Sequence, residues 1–466
     1  MGRPTAPRTD GTHFMGIFTS FITASQSLRT MERAMQTTQN NVANASTPGY
    51  ARQQSTFFAN SFQPQNGIMG GVTAGVPLSS RNTFAEQAVW RQQQSASSFT
   101  QQRASLEAIE PAFSVAKGAG IPAALDQLFQ SFSQLTVSPN DPTTRQMVLE
   151  RAQGLATVIN QTATSLGTAQ SQADQQVRDA AERINELTGR LANLNAQRRA
   201  GFSSGVDAGV DAAFHSTLEE LSQLADFTAI PADDGTFSVY LGGQSLAVAG
   251  DRSFSVSASV TGSSVQILDQ NGENITGKIT GGQVAALVGF RNNTLPSYSA
   301  SLNTLAQSIA DQVNGTLAAG VDQNGLPPTV DLFHYASGSN AAATLGVNNI
   351  QVEELAVALP GAPNGNGNAL ALAALGQQEV INGRTFTGFY SDLASRIGRE
   401  ITTARQTEQS QTSLLTQAKS LRDELSGVSL DEEAALMMQY QRSYQAAAQM
   451  FRVVDEMTQS LLSIGN

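Results

Sequence analysis

A chain of 466 residues with a formal charge of -11 and 14% charged side chains is long enough for several domains of roughly 100 to 200 residues each. That charge density is well under the globular average of about 25%, and Gln, Ala, Ser, Thr and Asn fill the gap, so copies can pack together with little like-charge repulsion. The acidic balance, with no run of Lys or Arg, excludes a nucleic-acid surface, and the absence of cysteine excludes disulfides, thiolate metal sites and thiol nucleophiles.

The first 14 residues, MGRPTAPRTDGTHF, are rich in Pro, Gly, Arg and Thr and show no periodicity. They hold neither an apolar h-region nor a small-residue cleavage site, so no Sec-type signal peptide is expected. Residues 1–14 read as a doubtful leader, with the chain proper and its first helix beginning at Met15. From Ile17 the positions Phe21, Ala24, Leu28, Met31, Met35, Thr38, Val42 and Ala45 follow in steps of four and three, the period of a coiled-coil seam. Only Thr38 is strongly polar. Asn40, Asn41 and Asn44 sit within one turn although Asn is a poor helix former, which suggests amide contacts to another chain. The helix ends at Ser46-Thr47-Pro48-Gly49-Tyr50, where Pro48 restricts Thr47 and Gly49 tolerates a positive φ.

Residues 80–225 are expected to be helical. Ala152, Leu155, Ile159 and Leu166 mark one amphipathic stretch, and Val177, Ile184, Leu187, Leu191 and Leu194 mark a longer one. Pro139, Asp141 and Pro142 read as a loop, with Thr143 or Thr144 capping the next helix. From Phe227 to about Ile279 the period becomes two, as in Phe237, Val239 and Leu241, with turns at Asp233-Asp234-Gly235, Gly242-Gly243 and Asp269 to Gly272. Helical spacing returns at Leu302, Leu305, Ile309 and Val313. A loop-rich insertion then occupies residues 320–384, where the Gly/Asn run 364–368 reads as a flexible linker. A last helical stretch, 390–425, leads to Leu430, Glu433, Met437, Tyr440, Tyr444, Ala447, Phe451, Val454, Thr458 and Leu461, a second seam with Glu433 and Thr458 as its polar interruptions.

No apolar run reaches the roughly 18 residues of a membrane span, so no membrane insertion is expected. The three histidines, His13, His215 and His334, are scattered and form no metal or catalytic set. Asp269 to Gly272 and Asp322 to Gly325 lack the alternating acids and distal Glu of a calcium loop and read as turns. Asp431, Glu432 and Glu433 open a helix, where negative charge favours the macrodipole. No catalytic, cofactor or metal residue is assigned.

The segment NNVANASTPGYARQ, residues 40–53, resembles the N-terminal signature shared by flagellar rod, hook and hook-associated proteins. The segment 427–464 is similar to the C-terminal signature of the hook-associated protein 1 family in particular, and its Leu430-Asp431-Glu432-Glu433 element separates it from rod and hook proteins. Residues 281–325 resemble that family's central helical segment. The resemblance implies a non-enzymatic structural subunit at the hook-filament junction of the extracellular flagellum. It further implies type III export without a cleaved signal peptide and self-assembly into a ring or tube layer. Its expected partners are the hook protein, a second junction protein or flagellin, and an export chaperone.

The expected fold is mainly α with a small β insertion: terminal coiled-coil helices, a discontinuous helical bundle and an inserted β domain. The domains would be a terminal axial core of 15–60 with 426–466, a helical bundle of 61–226 with 280–425, and a β domain of 227–279. The residues expected to carry assembly are Phe21, Leu28, Met35, Asn40, Asn41, Val42, Asn44, Pro48, Gly49 and Tyr50, with Met437, Tyr440, Tyr444, Phe451, Val454 and Leu461. Terminal segments too polar to be stable alone would become ordered when their seams meet neighbouring subunits. Two alternatives stand beside this reading: another axial protein of hook or rod type, and a secreted adhesin or enzyme carried on axial-type termini.

Overall fold

The computed structural model describes residues 11–63, 68–114, 118–203, 205–262, 264–338 and 340–464, without the side chains of 11–18, 68–69, 461–462 and 464. Residues 1–10 of the expected leader lie outside this description. The first helix, α1 (Gly11–Ala43), starts before Met15, so the helical pattern is not confined to the seam residues.

After α1 the chain forms a long antiparallel ribbon. Strands β1 (Gln53–Gln54), β2 (Phe57–Ala59) and β3 (Phe62–Gln63) pair in turn with β6 (Leu78–Ser79), β5 (Val72–Ala74) and β4 (Ile68–Met69). The ribbon lies on α1, where Thr30 donates its hydroxyl to the Val72 carbonyl at 3.0 Å. The described residues 61–63 and 68–79 are thus ribbon strands and turns beside α1, where the sequence reading placed the start of a helical bundle.

The body is helical. Helices α2 (Thr83–Ile109) and α10 (Phe386–Ser426) form a long antiparallel pair, tied by Arg103 Nε to Glu408 Oε2 and by Arg405 Nε to Glu107 Oε1 at 2.6 Å. Helix α3 (Gly120–Val137) packs against α4 (Pro142–Gly201), a single helix of 60 residues. Its N-cap is Asp141, whose carboxylate accepts from the Thr144 backbone N–H at 3.0 Å; a carboxylate placed one residue before Pro142 reaches the free amides better than Thr143 or Thr144 on the first turn itself.

Two cores share α4. Its first half, from Val148 to Ala173, packs with α3, α7 (Leu295–Ala318), α9 (Gly367–Leu375) and the start of α10. Its second half, from Val177 to Leu194, packs with α5 (Ala208–Leu224), α6 (Gly282–Gly289) and the β strands. Between the two, Asp174 meets Arg291 Nε at 2.7 Å with the guanidinium almost wholly buried, and the residues around Arg291, Phe290–Thr294, form a π-helical turn between α6 and α7.

The β unit begins at Phe227. Strands β7 (Phe227–Pro231), β8 (Phe237–Leu241), β9 (Ser245–Ala249) and β10 (Arg252–Ser253) make an antiparallel sheet in the order β10-β9-β8-β7, beside the hairpin of β11 (Ser257–Thr261) and β12 (Ser264–Leu268). Asn195 of α4 fastens the sheet, accepting from Phe237 N at 3.0 Å and donating to Phe237 O and Gly250 O. The insertion carries strands β13 (Phe333–His334) and β14 (Gly346–Val347), with α8 (Ala341–Thr344) between them. The Gly/Asn run is not a flexible linker. Asn366 donates to the Thr136 carbonyl at 2.7 Å and buried Asn368 to the Ala356 carbonyl at 2.6 Å, so amide side chains pin it before α9. The last helix, α11 (Leu430–Ile464), returns to α1.

Candidate functional site

The two ends of the chain close on each other. Helices α1 and α11 run antiparallel, since Asn41 meets Glu433 at one end and the rings of Phe21 and Phe451 meet at 4.4 Å nearer the other. Seam positions Ala24 and Thr38 are buried, while Leu28, Met35, Met437, Tyr440, Phe451 and Val454 are half-buried. Tyr440 also meets Phe57 of the ribbon, edge to face, at 6.1 Å. Four large apolar seam residues are left largely open: Phe21 at 37%, Val42 at 43%, Leu430 at 57% and Tyr444 at 38% exposure. Leu461 lies in α11, but its side chain is outside the described residues.

At the inner end of this helix pair a polar lock is built around Asn41. Its amide donates to Gln53 O at 2.8 Å and to Glu433 Oε2 at 3.1 Å, and its carbonyl oxygen accepts from Gln53 N and from the Tyr50 hydroxyl, both at 2.9 Å. The Glu433 carboxylate is 1% exposed and takes Arg52 Nε at 2.7 Å on its other oxygen, while Arg52 Nη1 reaches the exposed Glu432 at 2.8 Å. Every hydrogen-bonding capacity of the Asn41 side chain is thus used, which is what allows an amide and a carboxylate to be buried together. Burial, then the Glu433 and Asp207 carboxylates, push the Tyr50 hydroxyl up to about 12, so it stays a donor at neutral pH.

Of the three amides Asn40, Asn41 and Asn44, expected to make contacts to another chain, the structure shows the partners that each has within its own chain. Asn41 is spent within the subunit. Asn44 donates to Asn40 O at 2.9 Å and to its side-chain oxygen at 2.7 Å, then accepts from Thr47, so this pair shapes the helix end. Glu433 is likewise no mere dipole partner. A lone carboxylate at a seam position is a register device, and Arg52, seven residues beyond the first seam, is the partner that helix periodicity alone does not reveal.

The turn after α1 docks the pair onto the body. Gly49 has φ +73°, and a Cβ there would collide with the Ala212 carbonyl of α5, so both conformation and space call for glycine. Exposed Pro48 precedes it. Arg81 Nη2 donates to Gly49 O at 2.7 Å, and its guanidinium also holds Asp211 at 2.8 Å and Glu86. Three strands of chain meet beside it: Arg52 N donates to Ser426 O at 2.9 Å, Ser80 N to Arg52 O at 2.8 Å, and Asn82 N to Ser426 Oγ at 3.0 Å.

The residues weighed for chemistry have structural positions. His215 is buried, stacked on Trp90 at 6.0 Å, and burial followed by the Arg81 charge pushes its imidazole down to about 3, so it is neutral. His334 lies in β13, and the side chain of His13 is outside the described residues. Asp269 and Asp322 accept backbone N–H groups of their own turns at 2.7 to 2.9 Å, a turn role and not a calcium one. Among the described residues no group of three or more His, Cys, Asp or Glu is arranged to hold a metal ion.

Two family models match the chain: the flagellar hook-associated protein FlgK helical domain over residues 106–333, and the flagellar basal body rod FlgEFG protein C-terminal region over residues 417–464. The chain is 26% identical to flagellar hook-associated protein 1 of Bacillus subtilis over 97% of its length and 98% of that protein's. It is 22% identical to the protein of the same name from Salmonella typhimurium, over 95% and 99% of the two lengths. A solved structure, the flagellar hook junction protein FlgK from Burkholderia pseudomallei, superposes with a TM-score of 0.66 at 17% identity, covering 72% of this chain and 99% of that one.

Proposed function

We propose, because this chain belongs to the flagellar hook-associated protein 1 family, that it is a structural subunit of the hook-filament junction of the bacterial flagellum, the layer on which the filament assembles. The observation that carries the mechanism is the closed pair of chain ends. Helices α1 and α11 stabilise each other through the Asn41–Glu433–Arg52 lock, yet Phe21, Val42 and Tyr444 and a further row on α11, Met450, Val453 and Met457, stay exposed. A monomer seldom keeps so many large apolar groups in water without a protein surface to cover them. In this reading the covering surface is the same pair of helices in neighbouring copies, arranged as a ring or tube, with the helical body and the β unit facing outward. The terminal axial core, the helical body and the inserted β unit are parts of the same proposal.

The hook protein on one side and a second junction protein or flagellin on the other are the proposed neighbours. Delivery is by the flagellar type III channel with an export chaperone, without a cleaved signal peptide, and the subunit catalyses nothing. Deleting the gene tests this. Intact hooks, absent filaments and flagellin shed into the medium are expected; loss of the hook itself points instead to a hook or rod component, and normal filaments to an unrelated secreted role.

A further inference from the structure

The first turns of helix α10 run beside α7, and a groove of about 310 Å³ lies between them, lined by Ser301, Arg384, Phe389, Asp392, Arg396 and Arg399. With only 27 Lys and Arg in 466 residues and a net charge of -11, three guanidiniums on one groove is a marked local concentration of positive charge. The chain has no Lys/Arg run, so composition gives no hint of it.

The carboxylates nearby do not balance them. Asp392 pairs with Arg384. Glu400 stands 4.0 Å from Arg396 Nε, and its other oxygen is taken by the Tyr298 hydroxyl, so it compensates Arg396 weakly. Arg399 has no ion-pair partner among the described residues. Arg396 and Arg399 are three residues apart on the same face of α10, a like-charge spacing that destabilises a helix. Arg396 is nonetheless held in place: its guanidinium lies over the Tyr298 ring at 5.4 Å, and its Nη2 donates to Ser301 Oγ at 3.4 Å. A pre-positioned guanidinium beside a second, uncompensated one suits an acceptor that carries more than one charge and several oxygens.

We propose that this groove binds a phosphate group, free or at the end of a larger molecule, between Arg396 and Arg399, with Arg384 as a third donor held in check by Asp392. A phosphate monoester bears about -1.5 to -2 charges at neutral pH and presents three acceptor oxygens, which matches two forked donors where a single carboxylate would leave one unpaired.

The test is calorimetric titration of the full-length protein at low ionic strength with inorganic phosphate, then with glucose 6-phosphate, against sodium chloride of equal ionic strength. Saturable binding to one site with a Kd of about 1 mM or tighter is expected. Arg399→Gln, at an exposed position, should keep the wild-type circular dichroism and weaken binding about tenfold, the loss of one charge-assisted pair. Asp392→Asn frees Arg384 and should tighten binding about threefold. Stronger binding of the sugar ester than of the free ion assigns the site to a phosphate carried on a larger molecule, and the reverse assigns it to the ion. Heat no larger than that of sodium chloride, or two variants that bind like the wild type, would overturn the proposal.

Discussion

Removing Arg52 tests the lock at the chain ends most directly. In Arg52→Ala the Glu433 carboxylate keeps its place, 1% exposed, but loses the guanidinium that contacts it at 2.7 Å. The second contact of Arg52, to Glu432, is to a carboxylate 62% exposed, and exposed pairs of that kind contribute about 0–1 kcal/mol. The loss therefore comes almost wholly from stranding a buried charge, about 3–5 kcal/mol. Because the lock joins α1 to α11 and not the two cores of the body, the loss appears as local opening. Hydrogen exchange at amides from Ala24 to Asn41 should accelerate by about two to four powers of ten, with the exchange of α4 unchanged. In the double variant Arg52→Ala, Glu433→Met the stranded charge is gone, and most of the protection should return. A change under about 1 kcal/mol in Arg52→Ala, or a double variant no more protected than the single one, would refute the assignment of the lock to charge pairing.

Gly49→Ala forces an L-residue to φ +73° against the Ala212 carbonyl, and should cost about 2 kcal/mol or more in denaturant unfolding while abolishing filament growth in complementation. His215 is held neutral in the folded chain with its proton affinity moved from 6.5 down to about 3, so the unfolded state binds more protons between those values. Stability is full above about pH 6.5 and falls as pH drops toward 3, with a slope of up to about 1.4 kcal/mol per pH unit from this residue, and a His215→Gln variant should show a shallower acid limb in urea titrations. Asp141→Ala removes the N-cap of α4 and should lower stability by about 1 kcal/mol, whereas Thr143→Ala should change it by less than half that.

The mainly helical fold with its β insertion was legible because long amphipathic stretches such as Val177 to Leu194 repeat every 3.6 residues, and because the period changes to two where β7 begins at Phe227. The ribbon between Gln53 and Ser79 was not legible. Its strands are two or three residues long, its side chains are mostly exposed, and its partner is a strip of α1, including Thr30 and Ala34, that lies beside the apolar seam and not on it. Small and hydroxyl side chains there let a backbone come close, a signal that hydrophobic periodicity does not register. Amide side chains misled in both directions. Asn41 is a closed internal connector where contacts to another chain were expected, and Asn366 and Asn368 tie down a run whose composition reads as linker. An amide's role depends on which backbone groups come within reach, and that is set by tertiary placement.

Helix α4 passes through both cores without a break across its 60 residues, a rod of roughly 90 Å. Neither core can rotate against the other without bending that rod or tearing apart the Asp174–Arg291 pair at its waist. A twisting load entering at one core is consequently handed to the other with little angular slack, in the way a drive shaft couples two wheels. A proline placed midway along α4 would leave two sound bearings joined by a compliant neck.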